Sequence, residues 1–125
     1  MIISIAIVED LDEVREGLKN FISLNTEFLV VGAFKTGEEA LLKLPGLCPD
    51  IVIMDIHLPG MSGLELMEAM RRAKRHLPTI LITARCDNAI RERAKALGVV
   101  ALLEKPIEFN GLMGAIERCT GRPST

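Results

Sequence analysis

The chain has 125 residues, 49% of them hydrophobic, and a formal net charge of −2. That length supports one domain with a single core, and the near-neutral balance gives no electrostatic footprint for direct nucleic-acid contact. No apolar stretch approaches the roughly 20 residues of a membrane-spanning helix, and Cys48, Cys86 and Cys119 lack metal-ligand spacing, reading as reduced thiols of a cytoplasmic protein.

Taken in chain order, the first apolar run predicts a strand over residues 3–8 that ends in Glu9-Asp10. After Asp12, Val14, Leu18, Phe21 and Ile22 recur on one helical face. Phe28 to Phe34 predicts a second strand. Thr36-Gly-Glu-Glu39 has the form of a capping box, and Pro45-Gly46 is expected to stop the helix it opens. The third strand, residues 51–55, ends in Asp55. Ser62-Gly-Leu-Glu65 is a second capping box, opening a helix expected to reach about Arg75 with Leu66, Met67 and Met70 inward.

A fourth strand over residues 79–83 ends in Thr83. A helix from Asn88 to Leu97 follows, with Gly98 placed to close it. The fifth strand is expected over residues 99–103, leading through Glu104 to Lys105-Pro106, a peptide bond expected to be cis. The last helix, Glu108 to Cys119, carries Gly111 and Gly114, each weakening it by about 1 kcal/mol relative to Ala. The domain is read as residues 1–119, with 120–125 as a tail or linker.

Alternating strands and helices with nearly all-apolar strands predict an α/β fold: a doubly wound parallel sheet covered on both faces. Ligands of such sheets bind outside the carboxyl ends of the strands. Glu9, Asp10, Asp55, Thr83 and Lys105 all follow or end strands, so they converge. Two carboxylates about 4 Å apart repel by roughly 4 kcal/mol at an effective dielectric of 20. Three therefore require a proton or a hard cation, and this number of acids suits Mg²⁺, which shares its shell with waters and phosphate. Lys105 can neutralise an incoming phosphoryl oxygen, Thr83 can donate to it, and Asp55 can attack phosphorus to form an aspartyl phosphate.

These residues reach a family. Val8-Glu9-Asp10, the run Met54-Asp-Ile-His-Leu-Pro-Gly-Met-Ser-Gly-Leu-Glu-Leu66, Thr83-Ala84 and Lys105-Pro106 occur in order and in strand context. The chain resembles the receiver domain of two-component response regulators, most of all those attached to helix-turn-helix transcription factors. The resemblance implies a flavodoxin-like sheet in the order 2-1-3-4-5 with five helices. It implies Asp55 as phosphoacceptor, with Thr83 as switch hydroxyl and Lys105 as counter-cation. Mg²⁺ would be held by Asp10, Asp55, the His57 carbonyl and, through water, Glu9. A histidine kinase or phosphotransfer protein would donate the phosphoryl group. The output would be a changed partner contact or a homodimer through helix 4, strand 5 and helix 5, controlling an attached DNA-binding domain.

Departures carry their own expectations. Leu102 stands where the family usually has an aromatic residue, and the apolar Val99-Val100 replaces acids at the expected edge strand, suggesting a hydrophobic partner surface. Arg85 is read either as hovering over the site, where it would modulate hydrolysis or pair with Glu9, or as plainly exposed. A free-standing receiver acting by protein contact is the alternative. Less favoured are a Mg²⁺-dependent phosphohydrolase, which would need an acid where His57 stands, and a receiver that never takes phosphate.

Overall fold

The computed structural model describes residues 2–121. In chain order it contains β1 (Ile3–Val8), α1 (Asp12–Ser23), β2 (Phe28–Phe34), α2 (Gly37–Leu47), β3 (Ile51–Asp55), α3 (Gly63–Arg72), β4 (Thr79–Thr83), α4 (Asn88–Ala96), β5 (Ala101–Glu104) and α5 (Phe109–Thr120). The five strands are parallel and lie in the order β2-β1-β3-β4-β5.

Alternate residues along each strand face opposite sides, and two hydrophobic clusters result. Ile5, Ile7, Ile51, Ile53, Ile80 and Ile82 pack with Leu18 and Ile22 of α1 and Leu112 and Ile116 of α5. On the other face Ala6, Val8, Val52, Met54 and Leu81 pack with Leu44 of α2, Leu66 and Met70 of α3 and Ala94 of α4. Every residue of β3 and β4 is therefore buried, as two covered faces demand. The Phe21 and Phe109 rings, with centroids 4.9 Å apart, tie α1 to α5. That packing supports a helix whose glycines weaken it. The three cysteines are unpaired, and burial pushes the Cys119 thiol up to about 11.

The structure moves several boundaries. Helix α2 does not stop at Pro45-Gly46: it continues to Leu47, and Cys48 closes it in the left-handed region with φ 46° and an N–H bond to Leu44 O. A proline in the last turn forfeits one backbone bond, while Leu44, 2% exposed, anchors that turn in the core. Helix α3 ends at Arg72 rather than Arg75. There Lys74 (φ 58°) turns the chain, and its N–H and that of Arg75 bond back to the carbonyls of Arg71 and Met70, both at 2.9 Å, a Schellman closure. Gly98 (φ 80°) closes α4 in the same way, bonding Lys95 O while Val99 N bonds Ala94 O. Val99 is consumed by that cap, so β5 begins at Ala101 and runs to Glu104 instead of spanning 99–103. Helix α5 extends through Thr120, one residue beyond the expected boundary. Of the rest of the expected tail, Gly121 closes α5 with φ 69° and residues 122–125 lie outside the described residues.

Local signals hold where they are self-contained. Ser62 and Glu65 form the reciprocal capping box of α3, with bonds of 3.0 and 3.1 Å. Thr36 caps α2 by accepting from Glu39 N at 3.1 Å, but the return bond from Thr36 N to the Glu39 side chain is not made, so the expected capping box is half formed. The Lys105–Pro106 bond is cis.

Candidate functional site

Parallel pairing brings the carboxyl ends of the strands to one edge: Val8 registers with Met54, Asp55 with Ile82 and Thr83 with Glu104. The residues just past those ends meet. Lys105 Nζ lies 2.7 Å from Asp55 Oδ2 and 2.7 Å from Glu9 Oε1. Asp55 is 3% exposed and Glu9 is fully buried. One ammonium thus serves two buried carboxylates. It donates a well-directed hydrogen bond to Asp55, whereas Glu9 Oε1 has its charge nearby but no hydrogen bond of good geometry.

That imbalance appears in the acidities. Burial pushes the Glu9 carboxyl above its ordinary value, helped by the Asp55 charge and opposed by the close Lys105 ammonium and the Leu11 N–H. Burial also pulls Lys105 down, but the hydrogen bonds and charges of Asp55 and Glu9 prevail and its pKa is raised. A carboxyl raised in the fold favours folding in its protonated form. This contribution is complete below the unfolded value of 4.5 and is lost as pH rises through the folded pKa. Glu9→Gln stays neutral throughout. Without Mg²⁺ the variant is expected to melt higher than wild type near about pH 8, the advantage fading toward acid. A thermal-unfolding series across pH measures it, and equal melting temperatures at all pH values would contradict it.

Glu9, Asp10 and Asp55 each offer one carboxylate oxygen, all within 4.8 Å of one another. The donors are hard oxygens, and the buried Glu9 Oε1 lacks a directed partner, so the cluster fits a small divalent cation such as Mg²⁺. Asp10 is half-buried, and its carboxylate has no hydrogen-bond or ion-pair partner among the described residues. His57 joins through its backbone, its N–H donating to Asp55 Oδ1 at 3.0 Å. Its exposed ring turns outward, with Nε2 3.3 Å from the carbonyl of Arg85.

Thr83 is buried, and its hydroxyl donates to the same Arg85 carbonyl at 2.6 Å while accepting from Arg85 N at 3.1 Å. The hydroxyl is therefore engaged with the β4–α4 loop and not with Asp55. Arg85 brings its backbone to this contact; its side chain is exposed and makes no ion pair with Glu9, so the expected pairing is not seen. Leu102 is half-buried against the α2, α3 and α4 face of the sheet.

Two residues that support the site escape sequence reasoning. A Cβ on Gly63 would stand 2.3 Å from Asp55 O and 3.0 Å from Ile56 Cα, and the Gly63 N–H bonds Ile56 O at 2.9 Å. The first turn of α3 thus lies directly against the end of β3. Within the capping box this glycine carries no visible mark of that contact. Arg15 is 8% exposed and donates from Nη1 to Glu9 O at 3.0 Å. Its only signal is a cation on the helix face shared with Leu18 and Ile22.

Residues 5–117 match the response regulator receiver domain family, and the chain belongs to it. It is 38% identical over 109 residues to a protein-glutamate methylesterase/protein-glutamine glutaminase of Syntrophus aciditrophicus, covering 83% of this chain and 30% of that protein. It is 33% identical over 113 residues to the transcriptional regulatory protein FixJ of Bradyrhizobium diazoefficiens, covering 90% and 54%. The signal receiver domain of the response regulator NarL from Mycobacterium tuberculosis superposes with a TM-score of 0.88 at 27% identity, covering 97% of this chain and 98% of that one. The chain spans 30% to 54% of the length of these two curated relatives. Receiver domains are signalling domains that partner with histidine kinases or phosphotransfer proteins. No helix among the described residues is long and apolar enough to cross a membrane.

Proposed function

We propose that the domain is a phosphorylation-controlled switch in which Asp55 is the phosphoacceptor. The observation that carries this reading is one ammonium, Lys105, held 2.7 Å from both Asp55 and Glu9 beside an acidic cluster that fits Mg²⁺. An Asp55 carboxylate oxygen attacks the phosphorus of a phosphohistidine. The new O–P bond forms as the P–N bond breaks, and the donor imidazole leaves with the electron pair. Held by Asp10, Asp55, the His57 carbonyl and, through water, Glu9, Mg²⁺ would supply positive charge against the phosphoryl oxygens.

The chain's own groups do the remaining work. Lys105 exchanges an Asp55 oxygen for a phosphoryl oxygen without leaving the site. The His57 N–H steadies the other Asp55 oxygen. The Thr83 hydroxyl exchanges its Arg85 carbonyl partner for the phosphoryl group, which frees the β4–α4 loop to take a second conformation. Phosphorylation then acts by population shift, its effect limited by the difference in affinity between the two loop states. With Leu102 in place of an aromatic, the loop and not a ring flip carries the signal. The domain is read as a signalling acceptor and not an enzyme acting on an outside substrate, with a DNA-binding output or a partner protein downstream.

Incubation with acetyl phosphate and Mg²⁺ is expected to add one phosphoryl group by intact-mass spectrometry, and chelation of the metal is expected to prevent it. A chain that stays unmodified with ample donor and metal refutes the reading. Size-exclusion chromatography of both forms tests whether modification alters self-association through α4, β5 and α5.

A further inference from the structure

Three of the four polar groups of Glu9 are hydrogen-bonded, and the fourth, Oε1, has only the nearby Lys105 charge. The Glu9 N–H donates to Phe34 O at 2.9 Å, Oε2 accepts from Leu11 N at 3.2 Å, and Oε1 faces Lys105 Nζ at 2.7 Å. The carbonyl accepts from Arg15 Nη1 at 3.0 Å. Arg15 is the one α1 side chain among these partners. It also grips Asp12 through Nη2, and Asp12 in turn lies 3.8 Å from Lys35 Nζ. The guanidinium therefore spans the whole β1–α1 turn from Glu9 to the first turn of the helix.

Two features make this strut matter. Helix α1 has no side-chain cap at Leu11, and a local bond at its start runs from Leu11 N to Glu9 Oε2. Asp10, between the two clamped residues, has no polar partner of its own among the described residues, so its direction is set by the peptide groups on either side. Burying a cation to 8% exposure is unfavourable unless its hydrogen bonds recover the desolvation cost. A lysine could offer the charge but not two diverging donors on one rigid plane.

We propose that Arg15 is a positioning residue for the metal site: by holding the Glu9 carbonyl it aims the Asp10 carboxylate at the cation. The role rests on the reading of the acidic cluster as a Mg²⁺ site. It is tested by titrating MgCl₂ into ¹⁵N-labelled protein and following the Asp10 and Leu11 amide signals, alongside thermal unfolding. Arg15→Met is expected to weaken Mg²⁺ at least about tenfold, within the range seen when outer-shell partners of metal ligands are removed, and Arg15→Lys to weaken it less. Leu18→Ala, which loosens the same helix without touching the turn, is expected to lower the melting temperature while keeping Mg²⁺ affinity within about twofold. Wild-type affinity in both Arg15 variants overturns the positioning role and leaves the metal site standing. Should Arg15→Met fail to fold, Arg15→Lys decides alone: affinity within about twofold of wild type overturns the role, and a larger loss supports it. A wild-type protein with no saturable response to Mg²⁺ overturns both the role and the reading beneath it.

Discussion

Asp55→Asn is expected to acquire no phosphoryl group from acetyl phosphate and Mg²⁺ under conditions that modify the wild-type chain fully. An amide oxygen is a far poorer nucleophile toward phosphorus than a carboxylate, and no second acid can replace it at equal cost. Glu9 is tied by Leu11 and Lys105, and Asp10 makes no ion pair with a lysine among the described residues. The substitution keeps an acceptor for the His57 N–H at Oδ1, so the fold survives and intact-mass spectrometry reads chemistry alone. Asp10→Asn separates the roles. It leaves the nucleophile in place, so modification is expected to slow and to recover as Mg²⁺ is raised. Equal modification of Asp55→Asn and wild type would move the acceptor elsewhere.

Gly63→Ala is expected to destabilise the domain by about 3 kcal/mol, the upper part of the range for overpacking a well-filled interior, a fall in melting temperature of roughly 10 °C. The new methyl would meet Asp55 O at 2.3 Å and Ile56 Cα at 3.0 Å, both backbone atoms that cannot rotate aside. Either α3 retreats from the sheet or the end of β3 deforms. The second outcome displaces Ile56 and His57, whose N–H holds Asp55, so slower phosphorylation should accompany lower stability. Gly111→Ala is the contrasting case. Nothing lies within 4 Å of its added Cβ, so the change should stabilise α5 by about 0.5–1 kcal/mol. Thermal unfolding of the three proteins checks both signs, and a neutral Gly63→Ala would contradict the close approach of α3 to β3.

The site was legible because its members are marked by place and chemistry together. Asp55 and Thr83 each end a strand, while Glu9-Asp10 and Lys105 follow one closely. A parallel sheet gathers such ends whatever its loops do. Capping signals at Ser62 and the closing Gly98 were equally readable, since their partners lie within a few residues. The end of α2 was misread because the rule that proline stops a helix ignores what the turn containing it buries. Leu44 in the core outweighs one lost bond. The start of β5 was misplaced because Val99 looks like a strand residue but serves the α4 cap. Propensity cannot foresee that competition.

The residues alone established a doubly wound sheet with acids, a hydroxyl and an ammonium at one edge, because hydrophobic periodicity and strand-end positions are properties of short segments. Tertiary structure decided that Lys105 serves two carboxylates at once, that the Thr83 hydroxyl rests on the Arg85 carbonyl, that Gly63 lies against the end of β3 and that Arg15 holds the Glu9 carbonyl. Those are distances between groups whose separation along the chain says nothing of their separation in space. They come into being only when α1 and α3 pack against the sheet.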